Sequence, residues 1–510
     1  MSSLFVRKSV QNCEDDLAER SGLKRSLGKW HLTALGVGAT IGAGIFATTG
    51  TAIAGDVARV GAGPAIVYSF LLTALTCGFA ALCYAEFAAM VPVAGSAYTY
   101  AYASLGELVA WIIGWDLIVE YAVGNIGVAI GWAGYFQELI SHLGVSLPAW
   151  LATDVRSAHM AADAIKSGVT DPAIMYTASA LDVAPRIFGI PFIANLPAFM
   201  IVALITVILV IGIRESANSN NAMVILKIAI ILFFVAVGVT LIKPINWTNP
   251  ATGGFSPNGF AGISTGAAII FFSYIGFDAT STAAEEAKDP GRDMPFGIIM
   301  SLVVCTVIYI MLAVVMTGMA PWNKLGTAEP MITALSLADG APGLIKFSRI
   351  VVAAGAVIAM SSVLLVFQLG QPRIFMSMAR DGLLPPFLAK VHPRFKTPYV
   401  GTILTGIFVA TFAAFANIAE VVDLTNIGTL FAFVLVSLGV IVLRVKEPDR
   451  VRPFRAPWVP WTPMISVVTC LYLMYKLPTV TWIRFGIWLV LGLFIYFLYS
   501  AKHSRLRNPR

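Results

Sequence analysis

Residues 36–50 read GVGATIGAGIFATTG, and five of these fifteen positions are glycine. The run lies inside an apolar stretch, where a helix is the backbone form that pairs its own N–H and C=O groups. Glycine is among the poorest helix formers, so this stretch is expected to interrupt a helix. Why a membrane span should be built of such material is the question that decides the fold.

Composition places the stretch in a membrane. Of 510 residues, 58% are apolar and 12% charged, and the mean hydropathy is +0.82, whereas about a quarter of the residues in soluble domains are charged. A window of about 19 residues finds apolar runs near 31–54, 64–91, 108–141, 193–213, 220–242, 259–283, 296–319, 342–370, 399–417, 424–443, 462–477 and 483–500. The expectation is an all-α integral membrane protein of 12 transmembrane helices. A polar segment, 1–30, precedes the first run, so a removable signal peptide is not expected.

Charge and cysteine exclude other classes. The net charge of +7 gathers in basic clusters before the first span (Lys24, Arg25, Lys29), between the eighth and ninth (Arg373, Arg380, Lys390, Arg394, Lys396), from Arg444 to Arg455, and in a tail, 501–510, with Lys502, Arg505, Arg507 and Arg510. With loops assigned alternately to two sides, these clusters share one side, and the positive-inside rule makes both termini cytoplasmic. The basic loops are thus read as topology, not as a nucleic-acid surface. Cys13, Cys77, Cys83, Cys305 and Cys470 form no C-x-x-C pair, so neither a disulfide framework, a metal site nor a cofactor is expected. The histidines, His31, His142, His159, His392 and His503, lie outside the span centres, and no HExxH or GxSxG occurs, which argues against an enzyme with catalytic residues. A ligand-sensing receptor is disfavoured by the lack of a large soluble output domain.

The first ten runs divide into two halves of five, 31–242 and 259–443, with 462–500 as two further helices. The first and sixth spans have the worst helix chemistry: GATIGAGI in one, FFSYIGFDATS with Gly276 and Asp278 in the other. Interrupted helices at matching places in two repeats point to a transporter's binding site. A zwitterion could accept at its carboxylate from the N–H groups of Ile41, Gly42, Ala43 and Gly44, and donate from its ammonium to carbonyls around Phe272, Ser273 and Ile275. The competing reading is close helix packing through small residues. Between the fourth run and its predecessor, 144–192 reads as an extracytoplasmic loop; 372–398 reads as a cytoplasmic loop with a short amphipathic helix that ends before Pro385 and Pro386.

Four ionisable residues fall within spans. Asp116 and Glu120, four apart, share a helical face; Asp278 follows the break in the sixth span; Lys227 lies about 10 Å into the fifth. Such residues face the interior and pair, or mark a site. Lys227 either snorkels to the interface or carries a proton as access alternates. Glu86, just before Pro92, reads as structural.

At these residues the chain resembles the amino acid–polyamine–organocation superfamily, specifically bacterial members of its cationic amino acid transporter family. The stretches that carry the resemblance are GVGATIGAGIF, YAEFAAMVPVAGSAYTYAY, GWDLIVEYAVG, FFSYIGFDATSTAAEEAKDPGRDMPFGI and QPRIFMSMARDGLLPPFLAKVHPRFKTP, in order along almost the whole chain. The resemblance implies a five-plus-five inverted repeat of the LeuT-like fold with broken helices 1 and 6. It implies amino acid transport across the plasma membrane, here a bacterial inner membrane. It places Lys227 where relatives carry a lysine in place of a sodium site, Ile41, Ala43 and Gly44 at the substrate carboxylate, Phe272, Ser273 and Ile275 at its amino group, and Glu120 and Asp278 near the pocket. Some relatives have Thr or Ser at Ala43, which leaves recognition there to the backbone. The expected function is proton-coupled symport of amino acids, with the excess of acids in the bundle leaning to a cationic substrate and small neutral ones also carried by relatives; an amino acid or polyamine exchanger is the alternative. The partners implied are the substrate, the proton and the lipid bilayer, and the sequence leaves a small membrane accessory subunit open.

Overall fold

The computed structural model describes residues 2–7, 26–56, 59–91, 96–168, 172–212 and 217–507, without the side chains of Ser2, Ser3, Ser96, 217–220, Thr282 and Glu285. The readings at Cys13, Lys24, Arg25, Pro92, Asp171 and Arg510 lie outside the described residues.

The described chain is a bundle of helices. Eight are long and apolar enough to cross a membrane: Gly63–Met90, Glu107–Ser141, Asn221–Val239, Gly259–Ser281, Pro290–Met319, Pro342–Arg380, Ile418–Lys446 and Thr479–His503. Lys29–Thr40 and Gly44–Ala54 pass the same test only as a pair, bent by 41° at the break between them. Leu196–Ile211, Tyr399–Phe415 and Trp461–Tyr475 are shorter apolar helices. Large Leu, Ile, Val and Phe side chains remain on the outward faces, and the interior mixes the same types with alanine, aromatic rings and hydroxyl side chains. That exposed apolar surface suits a lipid solvent, in which apolar residues gain nothing by leaving the tails.

Local chemistry sets the helix ends. Asn195 caps Leu196–Ile211 by accepting from Ala198 N, and the same helix stops at Gly212, which is left-handed at φ 82°. Buried polar ends are closed by ion pairs. Glu86, 1% exposed, accepts from Arg444 Nε at 3.0 Å and Nη2 at 2.6 Å and from Ala456 N at 2.8 Å. It ties Gly63–Met90 to the end of Ile418–Lys446 and to the chain beyond it, a structural part in keeping with its place before a helix end.

Two segments differ from the sequence reading. Residues 144–192 are folded: Val155–Lys166, capped by Asp154, pairs with Pro172–Val183, and a two-stranded hairpin, Arg186–Ile187 with Ile190–Pro191, follows. Ala149, Ala158, Ala180, Ala184 and Ile193 form a small core of their own. Asn417 Nδ2 donates to Ser157 Oγ at 3.0 Å, Arg156 pairs with Glu420, and Asn195 N donates to Ala414 O at 2.8 Å, so the unit is fastened to the bundle. In 372–398 the helical part is no separate surface helix. Pro342–Arg380 runs unbroken through Pro372, and only Pro386–Ala389 forms a further, 3₁₀ turn.

Both ends of the described chain meet at one corner. Glu107 N donates to Val6 O at 3.0 Å, while the fully buried Glu107 carboxylate accepts from Tyr102 and Tyr496 hydroxyls at 3.1 and 3.0 Å and from Ser504 Oγ, and pairs with Arg507 Nε at 2.9 Å.

Candidate functional site

The glycine-rich stretch does interrupt its helix. Lys29–Thr40 ends where Ile41, at φ −75° and ψ 95°, donates its N–H back to Val37 O at 2.9 Å. Gly42 O then accepts from Ile45 N and Phe46 N, both at 3.2 Å, and a π-helical turn, Gly44–Thr48, begins the second half. Gly42, Ala43 and Gly44 are thus the first residues of a helix, the place where N–H groups have no preceding turn to pair with. Thr48 Oγ1 donates to Gly44 O at 2.6 Å, and Tyr135 OH to Phe46 O at 2.7 Å, which holds the widened turn.

A second break faces it. Gly259–Ile270 tightens to a 3₁₀ turn, Phe271–Tyr274; Ile275 is extended, at φ −62° and ψ 133°; Gly276 is at φ 119°; Asp278–Glu286 is again 3₁₀. The two breaks cross twice, and each crossing needs a glycine. A Cβ on Gly44 would stand 2.3 Å from Ser273 Cα, and one on Gly276 would stand 2.8 Å from Ala39 O. Ser273 Oγ is buried and finds no partner among the described residues.

The charged residues are placed around this crossing. Lys227 is 1% exposed and its ammonium donates to Gly38 O at 2.6 Å, three residues before Ile41, so it does not snorkel to the surface. Glu120 lies in a π-helical turn, Val119–Val123, within electrostatic range of Asp278, whose Oδ1 accepts from Gly276 N at 3.3 Å. Ile41, Gly42, Ala43, Gly44, Phe272, Ser273 and Ile275 are therefore brought together and buried, with Asp278 at the second break, Lys227 at the end of the first half-helix and Glu120 buried as well.

Two features of the site escape the sequence. Tyr309, on Pro290–Met319, donates to Thr40 O at 3.1 Å and Ser273 O at 2.9 Å, one hydroxyl joining carbonyls of both broken helices. A tyrosine inside an apolar helix carries no signal of that role. Pro342–Arg380 supplies apolar walls: a Cβ on Gly42 would meet Val363 Cγ2 at 3.0 Å, and one on Gly131 would meet Ala43 Cβ at 3.3 Å and Met360 Sδ at 3.6 Å.

Comparison with known proteins gives the family. The profile of the amino acid permease family matches residues 27–504. A branched-chain amino acid permease of Bacillus subtilis is 45% identical over 99% of this chain and 99% of its own length. A methylthioribose transporter of the same organism is 44% identical over the whole of both chains. A vacuolar cationic amino acid transporter of Arabidopsis thaliana is 35% identical over 88% of this chain and 68% of its own. These relatives are membrane transporters and not enzymes. A family profile that spans nearly the whole chain, laid over two helices that break and cross at the bundle's centre, leaves one conclusion: the chain belongs to the amino acid permease family.

Proposed function

We propose that the protein is a proton-coupled symporter of neutral amino acids with alternating access, and that its twelve helices form two inverted five-helix repeats, 31–242 and 259–443, followed by two further helices in 462–500. The observation that carries the reading is the double crossing of two interrupted helices at Gly44–Ser273 and Gly276–Ala39. Unpaired backbone groups inside a bilayer cost several kcal/mol each unless a ligand or protein replaces the missing partners, so two facing breaks call for a ligand with both donors and acceptors. The α-carboxylate accepts from the N–H groups at Gly42, Ala43 and Gly44, at the positive end of a half-helix; the Ile41 N–H, expected to join them, is already given to Val37 O. The α-ammonium donates to the carbonyls at Phe272, Ser273 and Ile275.

The side-chain wall favours an aliphatic substrate. Val363 and Met360 stand at Gly42 and Gly131, and the relatives of highest identity named above are described as carriers of branched-chain amino acids and methylthioribose. Cationic amino acids are the second reading, favoured by the buried Glu120–Asp278 pair and by the cationic transporter from Arabidopsis.

Lys227 supplies the coupling. Charged, it holds Gly38 O and so the end of the first half-helix; neutral, it releases that carbonyl's strongest donor. The basic clusters at Arg373–Lys396 and Arg444–Arg455 support cytoplasmic termini in a bacterial inner membrane. Uptake of labelled isoleucine, alanine and arginine into proteoliposomes under imposed proton or sodium gradients tests the proposal. Isoleucine accumulation driven by protons and lost in Lys227→Ala is expected; sodium-driven uptake untouched by that substitution would defeat it, and uptake only against internal substrate would make the protein an exchanger.

A further inference from the structure

Asp116 stands apart from the cradle, about 6 Å along the helix axis from Glu120 toward the end that carries both termini. It is 1% exposed, and neither carboxylate oxygen has a hydrogen-bond partner among the described residues. Its Oδ1 lies against the backbone of Ile418–Lys446, where a Cβ on Gly428 would stand 2.8 Å away. Glu120 and Asp278 lie within electrostatic range of each other, and Glu120 Oε2 and Asp278 Oδ2 are buried with no hydrogen-bond partner among the described residues, so two such carboxyls hold a proton more cheaply than two charges. The hydroxyls of Tyr84, Tyr121 and Thr429 are buried, without partners among the described residues, and the two phenols lie within electrostatic range of Asp278 and Glu120.

The occupant follows from what the surroundings offer. A carboxylate sealed from water with no donor is far costlier than its neutral acid. Among the described residues no three His, Cys, Asp or Glu side chains converge as metal ligands, and a neutral substrate brings no second cation. We propose that Asp116 is the proton-release station of the transporter, fed by the Glu120–Asp278 pair. Sealed, Asp116 is a neutral acid. When the end carrying the termini opens, water takes its proton as hydronium and leaves a hydrated carboxylate. On resealing, that carboxylate takes the proton held between Glu120 and Asp278, and the pair is refilled from the opposite side as the next substrate enters. One proton leaves for each one that arrives. The inference rests on the proton-coupled reading above.

The test uses the full chain in proteoliposomes, with two readouts on Asp116→Asn: exchange of labelled isoleucine between equal pools, and isoleucine accumulation driven by an imposed pH gradient. Exchange within about twofold of wild type, with driven accumulation lower by about tenfold or more, is expected. Driven accumulation equal to wild type overturns the proposal, and so does a parallel loss of both activities, which marks a structural part. Wild-type protein that accumulates nothing under the gradient overturns the proton-coupled reading itself, and this inference with it. Should Asp116→Asn not fold, infrared difference spectra of the wild-type protein and Asp116→Glu at pH 8 decide: a protonated-carboxyl stretch that shifts with the substitution is expected, and a spectrum without such a shift overturns the proposal.

Discussion

At Gly44 the whole arrangement turns on one hydrogen atom. Its α-carbon approaches Ser273 so closely that a methyl group would stand 2.3 Å from the opposing Cα, backbone against backbone with nothing flexible to yield. Gly44→Ala is expected to destabilise the protein by roughly 1–3 kcal/mol and to abolish uptake, as read by thermal unfolding in detergent and by transport. Tyr309→Phe removes one hydroxyl shared between Thr40 O and Ser273 O and leaves the ring in place. Loss of about 1 kcal/mol in binding or stability follows, with a several-fold fall in uptake at unchanged expression. Glu329, outside the spans and partly buried beside Gly134, gives a pH prediction of definite sign. Loss of water, and next the carboxylate of Glu138, push its carboxyl from 4.5 up to about 7. The fold thus prefers the protonated form, so this contribution to stability is full below pH 4.5 and is lost as pH rises through 7. Glu329→Gln should therefore raise the melting temperature at pH 8 and leave it unchanged at pH 4.

Single residues were also the most legible part of the sequence. A glycine cluster in an apolar run announces a break, and a lysine seven residues into one announces a buried charge, because neither is tolerated in lipid without a reason. Tyr309, Val363 and Met360 made no such announcement. Each is ordinary helix interior, and only the fold brings it to the cradle.

Elements were harder to read than residues where proline and polarity mislead. The stretch 372–398 suggested a loop with a short amphipathic helix of its own, yet Pro342–Arg380 passes through Pro372, since packed neighbours can make good the single hydrogen bond that proline removes. The polar stretch 144–192 suggested a loop because its charges mask a small-residue core of the type formed by Ala149, Ala158 and Ala180. Between elements, the strongest tie found by neither argument is Glu86 with Arg444. Glu86→Ala takes the carboxylate from the part-exposed Arg444 and from the buried Arg452, whose Nε faces it at 3.3 Å, and frees Ala456 N as well. A loss of about 3–5 kcal/mol is expected, visible as a lower melting temperature and poor recovery from the membrane.

At the scale of the molecule, ionisable groups of the interior stand at both breaks. Lys227 holds Gly38 O at the first, and Asp278 accepts from Gly276 N at the second. On the proton-coupled reading proposed above, these are the groups through which a pH gradient would act. The composition made a multi-pass membrane protein plain at once, and the break positions made a central site plain. The length of each helix and the folded unit between 144 and 192 needed the structure, because lipid-facing and protein-facing apolar residues look alike in sequence.

The corner at Gly106 and Glu107 holds more than its own helix. Because Val6 and Ser504 both bind there, two fluorophores fused at the extremities of the chain would ride on the same anchorage. Energy transfer between them should be high and steady while the corner is intact. Glu107→Gln, by loosening Arg507, should lower it without any change of ligand, and a donor–acceptor pair of this kind would turn the molecule into its own gauge of whether that anchorage slips during turnover.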